Sequence, residues 1–174
     1  MKKLLFFAAF AVLGMTTMFA QTEKGAWLIE INTGFGEVST STTGLALRSV
    51  DGNTSWAFGG EVGYFIMDDL ALKAGVGYGD PGVDGIDGTF NWKFGGKYYI
   101  AKKFPVGVDI NGSSSDGFSP MFVGIQGGYA WFVAENVSIE PGIRYGFGVG
   151  DDADLLTGDN GVFSFNVGFN IFFN

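Results

Sequence analysis

The C-terminal stretch GVFSFNVGFNIFFN, residues 161–174, alternates large apolar side chains with small or polar ones. A period of two residues indicates a β-strand, because successive side chains of a strand point to opposite faces. One face is aromatic or aliphatic at Phe163, Phe165, Val167, Phe169, Ile171 and Phe173. The other face is small and polar apart from Phe172. The stretch therefore predicts a strand with one strongly apolar face.

Seven earlier segments show the same alternation, so the chain is predicted to be all-β with eight strands. The segments lie at residues 26–35, 56–66, 70–78, 90–100, 104–111, 121–133 and 137–147. Most have roughly the nine to eleven residues that a tilted strand needs to cross a bilayer.

The connections between these segments alternate in length. Three are short, at residues 67–69, 101–103 and 134–136. Four are long and polar, at residues 37–55, 79–89, 112–119 and 149–160. Short periplasmic turns and longer external loops are typical of bacterial outer-membrane barrels. The pattern predicts an antiparallel up-and-down transmembrane β-barrel with both chain ends in the periplasm.

The N-terminus has the features of a cleavable secretory signal peptide. Lys2 and Lys3 precede a ten-residue apolar run, residues 4–13. This run is too short to span a bilayer as a helix. Cleavage after Ala20 would leave residues 21–174 as a single barrel domain.

The composition excludes several classes of function. The chain has no Cys and no His, so disulfides, thiol nucleophiles, Ser-His-Asp sites and His-bearing metal sites are excluded. The formal net charge is −8, and an acidic protein is not expected to bind nucleic acid. We expect no enzymatic activity and no cofactor.

The apolar face of the strands is predicted to lie outside the barrel. The interior of eight strands is only just wide enough for side chains to fill it. It suits the Gly-rich face and cannot hold the aromatic one. Because so much exposed apolar surface would aggregate in water, the surroundings are predicted to be hydrocarbon. A soluble ligand-binding barrel is the less favoured alternative.

The chain from about Lys24 to Asn174 resembles the small outer-membrane β-barrels of the porin-like, OmpA/OmpX-type family of Gram-negative bacteria. The resemblance rests on the signal peptide, the eight alternating strands and the aromatic C-terminal stretch, although the final residue is Asn174 rather than an aromatic. It implies an exported monomer in the outer membrane, in contact with lipid and lipopolysaccharide. It also implies an assembly signal, read by the outer-membrane assembly machinery, at Phe169, Ile171 and Phe173.

The inward face carries ionisable side chains of both signs. The eight positions are Glu30, Glu61, Lys73, Lys93, Lys97, Asp109, Glu140 and Arg144. A charge inside a narrow barrel is costly unless it is paired or hydrated. The balanced set predicts an ion-pair network that fills the lumen. A selectivity lining around water is the alternative.

The short turns set the strand register, which predicts individual ion pairs. Glu61 lies diagonal to Lys73, and Lys97 lies diagonal to Asp109, at about 7–8 Å. We therefore expect the pairs Glu61–Lys73 and Lys97–Asp109. Across the barrel, the network is expected to be completed by Arg144 and Glu140.

Large apolar side chains are predicted to cluster at the periplasmic end of the lumen. They are Leu28, Phe65, Tyr99, Phe132 and Phe172. We interpret them as a floor that closes the barrel, and a pocket for a small hydrophobic solute is the alternative.

On the outer face, the sequence predicts a belt of amphipathic rings near the two membrane interfaces. The belt consists of Trp27, Trp56, Tyr64, Trp92, Tyr98, Tyr129, Trp131 and Tyr145.

Pro141 interrupts the outer face of strand seven, and because proline donates no N–H we expect a gap in the hydrogen-bond ladder there.

The external loops are acidic, which we interpret as solvation of the barrel rim. Asp151, Asp152 and Asp154 carry only a weak indication of divalent-cation binding, because their spacing lacks the ordered ligand pattern of a calcium loop.

The function that the sequence favours is a non-enzymatic structural or surface-interaction barrel with a plugged lumen. The alternative is a narrow porin-like channel for small solutes.

Overall fold

A computed structural model of the chain describes residues 22–35, 45–50, 53–80, 82–83, 85, 87–157 and 161–174. The predicted signal peptide, residues 1–20, lies outside these ranges. In chain order, the elements are β1 (Trp27–Phe35), β2 (Leu45–Val50), β3 (Asn53–Met67), β4 (Leu70–Asp80), β5 (Thr89–Ile100), β6 (Phe104–Ser114), β7 (Met121–Gly128), β8 (Trp131–Ala134), β9 (Val137–Val149), α1 (Asp151–Thr157) and β10 (Val162–Phe173).

The strands form one closed antiparallel sheet. Its wall runs in the order β1, β10, β9, β7, β6, β5, β4 and β3, and pairing of β1 with β3 closes the ring. Both β7 and β8 pair with β9, so they are two halves of one wall strand. Strand β2 pairs with β3 and lies off the ring. The predicted eight-stranded up-and-down barrel is therefore confirmed.

The two ends of the barrel differ. Short turns at residues 68–69, 101–103 and 135–136 mark one end, which we name the turn end. The opposite end, where the long connections lie, we name the loop end. Within the described part of the chain, no helix combines the length and the apolarity needed to span a membrane.

Strand β2 corrects the prediction that residues 37–55 form only a loop. β1 pairs with β3 over just four residues, from Trp27 to Glu30. Beyond that point β2 covers the edge of β3, and a bare strand edge would otherwise expose unpaired backbone groups. The sequence signal is the dipeptide Asp51-Gly52 between two short alternating segments, because Asp-Gly is a sequence that favours two-residue hairpin turns.

Helix α1 corrects the prediction that residues 149–160 form only a polar loop. The amides of Ala153 and Asp154 donate to the Gly150 carbonyl oxygen at 3.0 and 3.2 Å. Three aspartates occupy the first turn, where the helix dipole stabilises negative charge. The aspartates that gave a weak indication of a metal site therefore also favour a helix start.

Pro141 accounts for the break between β7 and β8. The Tyr129 N–H donates to the Pro141 carbonyl oxygen at 3.0 Å. Pro141 has no amide hydrogen, so it cannot donate the second hydrogen bond of this pair to the Tyr129 carbonyl oxygen. On the other side, pairing of β7 with β6 ends at Gly127, which lies opposite Val106. Pairing with β9 stops at Gly128 and resumes at Trp131. The ladder gap predicted at Pro141 is present.

Candidate functional site

Four lumen side chains bridge the strands where the barrel wall closes. Glu30 and Glu61 are direct cross-strand partners, a position in which like charges repel. The Lys73 Nζ lies between them, 2.7 Å from Glu30 Oε2 and 2.7 Å from Glu61 Oε2. Lys93 Nζ binds the other oxygen of Glu61 at 2.9 Å. Each carboxylate is thus held by ammonium groups.

Lys97 continues this chain of ion pairs toward the turn end. Its ammonium group binds Glu30 and, at 3.0 Å, Glu140 Oε2. The second oxygen of Glu140 accepts hydrogen bonds from Tyr99 Oη at 3.0 Å and from Ser138 Oγ at 2.9 Å. Three lysines and three glutamates therefore form a connected group with no net charge, which we name the Lys–Glu chain.

Arg144 and Asp109 form a two-pronged pair nearer the loop end. Arg144 Nη2 donates to Asp109 Oδ1 at 2.6 Å, and Arg144 Nε donates to Asp109 Oδ2 at 3.2 Å. Asn111 Nδ2 also donates to Asp109 Oδ1, at 2.7 Å. A Cβ on Gly124 would overlap the guanidinium group, so the glycine provides the space that the arginine occupies.

The structure buries all eight predicted lumen charges, none of which is more than 7% exposed. The predicted Glu61–Lys73 pair is present. The predicted Lys97–Asp109 pair is wrong, because Asp109 binds Arg144. Register limits which side chains are neighbours along the wall, whereas a narrow lumen also lets long side chains meet across it.

The five predicted floor residues meet at the turn end of the lumen. The rings of Phe65, Tyr99 and Phe172 lie 6.0–6.3 Å apart, and Phe132 lies 5.5 Å from Phe172. Leu28 is fully buried in the same cluster. The cluster is completed by Ala26, Ala71 and Ala130, whose contribution the sequence analysis missed. Their positions in the alternation, pointing inward near the short turns, were the available signal.

A second apolar closure lies at the loop end, and the sequence analysis did not predict it. Phe122 points inward and is 2% exposed, directly opposite Gly148 of β9. Ala153 of α1 is fully buried against Gly148, and its Cβ lies 3.1 Å from where a Cβ on that glycine would stand. The Ser119 N–H donates to Asp152 Oδ2 at 2.8 Å and ties the preceding loop to the helix.

Three hydrogen-bonding side chains of the lumen were also missed. Asn32 donates to Glu30 Oε1 at 2.6 Å, while Asn111 and Ser138 bind Asp109 and Glu140. Each stands two residues from the carboxylate that it binds, on the same face of a strand. That i, i+2 spacing was the signal, because both side chains of such a pair point into the lumen.

The outer face is apolar, with rings toward both ends. Near the turn end lie Trp27, Tyr64, Tyr98, Tyr129 and Trp131. Nearer the loop end lie Trp56, Trp92 and Tyr145. The Trp27 and Tyr64 rings contact each other at 4.9 Å. The side chains predicted as an assembly signal, Phe169, Ile171 and Phe173, are 40–49% exposed on this face of β10.

The acidic residues in the described parts of the loops do not assemble into a metal centre. Within the residues that the structure describes, no group of three or more Asp, Glu, His or Cys side chains could hold a metal ion. Asp152 instead accepts the hydrogen bond from Ser119.

Comparison with solved structures identifies this architecture. The N-terminal β-barrel domain of Pseudomonas aeruginosa OprF is 16% identical, with a TM-score of 0.55, over 86% of this chain and 98% of that one. This is the fold of the small eight-stranded outer-membrane β-barrels. A de novo designed transmembrane β-barrel is 12% identical to this outer-membrane-type barrel, with a TM-score of 0.50, over 87% of this chain and 98% of the design.

Neisserial surface protein A is also similar, at 13% identity and a TM-score of 0.48 over 85% of this chain and 97% of that one. No protein-family model matches the sequence, and no curated protein sequence matches it. The similarity to the OprF domain and to the designed barrel shows the fold of this chain and does not show its role.

Proposed function

We propose that this protein is an integral outer-membrane barrel of a Gram-negative bacterium, with a non-enzymatic structural or surface-interaction role and a lumen that does not conduct. Its position in the membrane is supported by the outer wall. Large apolar side chains such as Phe58, Val108 and Phe163 are more than 60% exposed there. A water-facing surface of this kind would drive aggregation, whereas a bilayer would bury it.

The filled lumen is the observation that carries the plugged-barrel proposal. From the loop end to the turn end it contains Phe122, the Arg144–Asp109 pair, the Lys–Glu chain and the apolar floor. A channel needs a continuous path of water past these groups. The buried charges bind one another with the geometry of a packed core, so the narrow-channel alternative is not favoured.

Single-channel recording tests this proposal. Purified protein refolded into planar bilayers is expected to show no steady conductance above the bare bilayer. A wide porin inserted into the same bilayers is the positive control for sensitivity. Steady, reproducible current steps from the folded protein would contradict the plugged lumen.

The proposed partners are outer-membrane lipid and lipopolysaccharide at the wall, together with the outer-membrane assembly machinery at the exposed Phe169, Ile171 and Phe173. We propose a monomer, because the ring of strands closes within one chain.

Fractionation of cells that express the full chain tests the proposed location in the outer membrane. Recovery in the soluble periplasmic fraction would contradict it.

A non-enzymatic role is supported by the chemistry of the residue set. The chain has no His and no Cys, which removes the commonest acid–base and thiol groups. The lumen carboxylates are each engaged by lysine or arginine.

A further inference from the structure

The lumen face where the first and last wall strands pair has unsatisfied polar atoms around a glycine. Gly168 of β10 is the direct partner of Asn32 of β1, and Asn170 is the partner of Glu30. Asn32 is 2% exposed and Asn170 is fully buried. Within the described part of the chain, Asn32 Oδ1 and both polar atoms of the Asn170 amide have no hydrogen-bond partner.

These atoms converge on the space in front of Gly168. A Cβ built on this glycine would stand 3.5 Å from Asn170 Nδ2, 3.5 Å from Glu30 Oε1 and 3.7 Å from Asn32 Oδ1. A cavity of about 20 Å³ adjoins the same place, lined by Glu30, Asn32, Lys97 and Gly168 among others. About 10–15 Å³ is enough for one water molecule.

We infer that the space in front of Gly168 is a specific binding site for one ordered water molecule, which bridges β1 and β10 through Asn32, Asn170 and Glu30. A water molecule both donates and accepts, so it can donate to the two acceptors and accept from the Asn170 amide. The Asn170 amide is oriented with Nδ2 toward this space, so that it can donate to the water.

A metal cation fits the site less well than water does. Glu30 already binds two ammonium groups, those of Lys73 and Lys97. A further positive charge beside Glu30 Oε1 would face both of them, and the Lys–Glu chain is already neutral. A neutral ligand that can donate two hydrogen bonds meets the needs of the site without adding charge.

Substitution of Gly168 separates a hydrated site from a dry one. The methyl group of Gly168→Ala has room at ordinary contact distances, but it would displace the water and leave buried amide atoms unsatisfied. The control for the glycine-to-alanine change itself is Gly96→Ala, on the outer face of β5, where the nearest atom to the new Cβ is the Ala71 carbonyl oxygen at 3.8 Å. Relative to this control, Gly168→Ala is expected to raise the unfolding equilibrium constant about tenfold or more.

A serine at position 168 is expected to restore part of the stability that Gly168→Ala loses. The hydroxyl of Gly168→Ser can replace the water, so this variant is expected to be more stable than Gly168→Ala, with no comparable difference between Gly96→Ser and Gly96→Ala. A finding that Gly168→Ala is as stable as Gly96→Ala, or more stable than Gly168→Ser, would overturn the proposal.

Nuclear magnetic resonance on the wild-type barrel in nanodiscs gives a readout that does not depend on any variant folding. A cross-relaxation peak between water and the side-chain amide protons of Asn32 or Asn170 is expected. Its absence in the folded protein, with both amides assigned, would overturn the site while leaving the proposed membrane role intact.

Discussion

Glu30 and Glu61 face each other directly across the ladder between β1 and β3, and a single ammonium group, that of Lys73, binds both carboxylates. Two like charges at directly opposed positions destabilise a sheet, and more so where burial removes water. Lys73 therefore relieves a repulsion built into the place where the barrel closes.

Removal of this bridging charge is expected to be more damaging than removal of the charge at the end of the chain. Lys73→Met should lower the free energy of unfolding by about 3–5 kcal/mol, because it leaves two buried carboxylates facing each other. Lys93→Met, which takes a cation from Glu61 alone, is the matched control and should cost less. Urea titration of barrels refolded in lipid vesicles measures both. Equal losses would refute the bridging role.

A double-mutant cycle distinguishes the ion pair observed for Asp109 from the one that the sequence predicted. Asp109→Asn combined with Arg144→Met should show a coupling energy of about 1–3 kcal/mol, since the two groups are bound through two hydrogen bonds. Asp109→Asn combined with Lys97→Met should be additive within about 0.5 kcal/mol. The reverse order of the two coupling energies would show that the lumen pairs differ from those described here.

We predict that Arg144 can occupy its place in the lumen only because Gly124 has no side chain. Gly124→Ala places a methyl group on the guanidinium and should cost about 1–3 kcal/mol of unfolding free energy. Gly60→Ala, whose new Cβ would meet only the Glu30 carbonyl oxygen at 3.6 Å, should be nearly neutral. The cost at Gly124 should shrink when Arg144→Met is present. If Gly124→Ala destabilises the Arg144→Met variant as much as it destabilises the wild type, a clash with Arg144 is not the cause of the loss.

The lipid-facing assignment of the wall is tested at Val108, which is 61% exposed on the outer face of β6. Val108→Arg should destabilise the barrel in bilayers by about 2–4 kcal/mol, because a cation near the membrane midplane is costly. Val83→Arg, in the connection between β4 and β5, is the control and should have little effect. Unchanged stability for Val108→Arg would mean that this face does not contact hydrocarbon.

The alternation of side chains was sufficient to assign the faces of the wall. Phe165, Val167 and Phe169 point outward and Asn166 and Gly168 inward, because a strand leaves each side chain only two directions. The same local rule predicted the floor, since inward positions beside short turns must lie at one end of the lumen. It did not predict β2 and α1, because they lie in segments treated as loops and depend on contacts with β3 and with Gly148.

The sequence by itself determined the eight-strand closure, the two faces and which charges are buried, because each of these follows from a period of two residues and the lengths of the connections. The register also predicted the Glu61–Lys73 pair, whereas only the tertiary structure decided how the other lumen charges bind each other. Lys97 binds Glu30 and Glu140 rather than Asp109, and Arg144 reaches Asp109 over Gly124. These contacts depend on the radius of the barrel and the stagger of its strands, which bring together side chains that no local pattern connects.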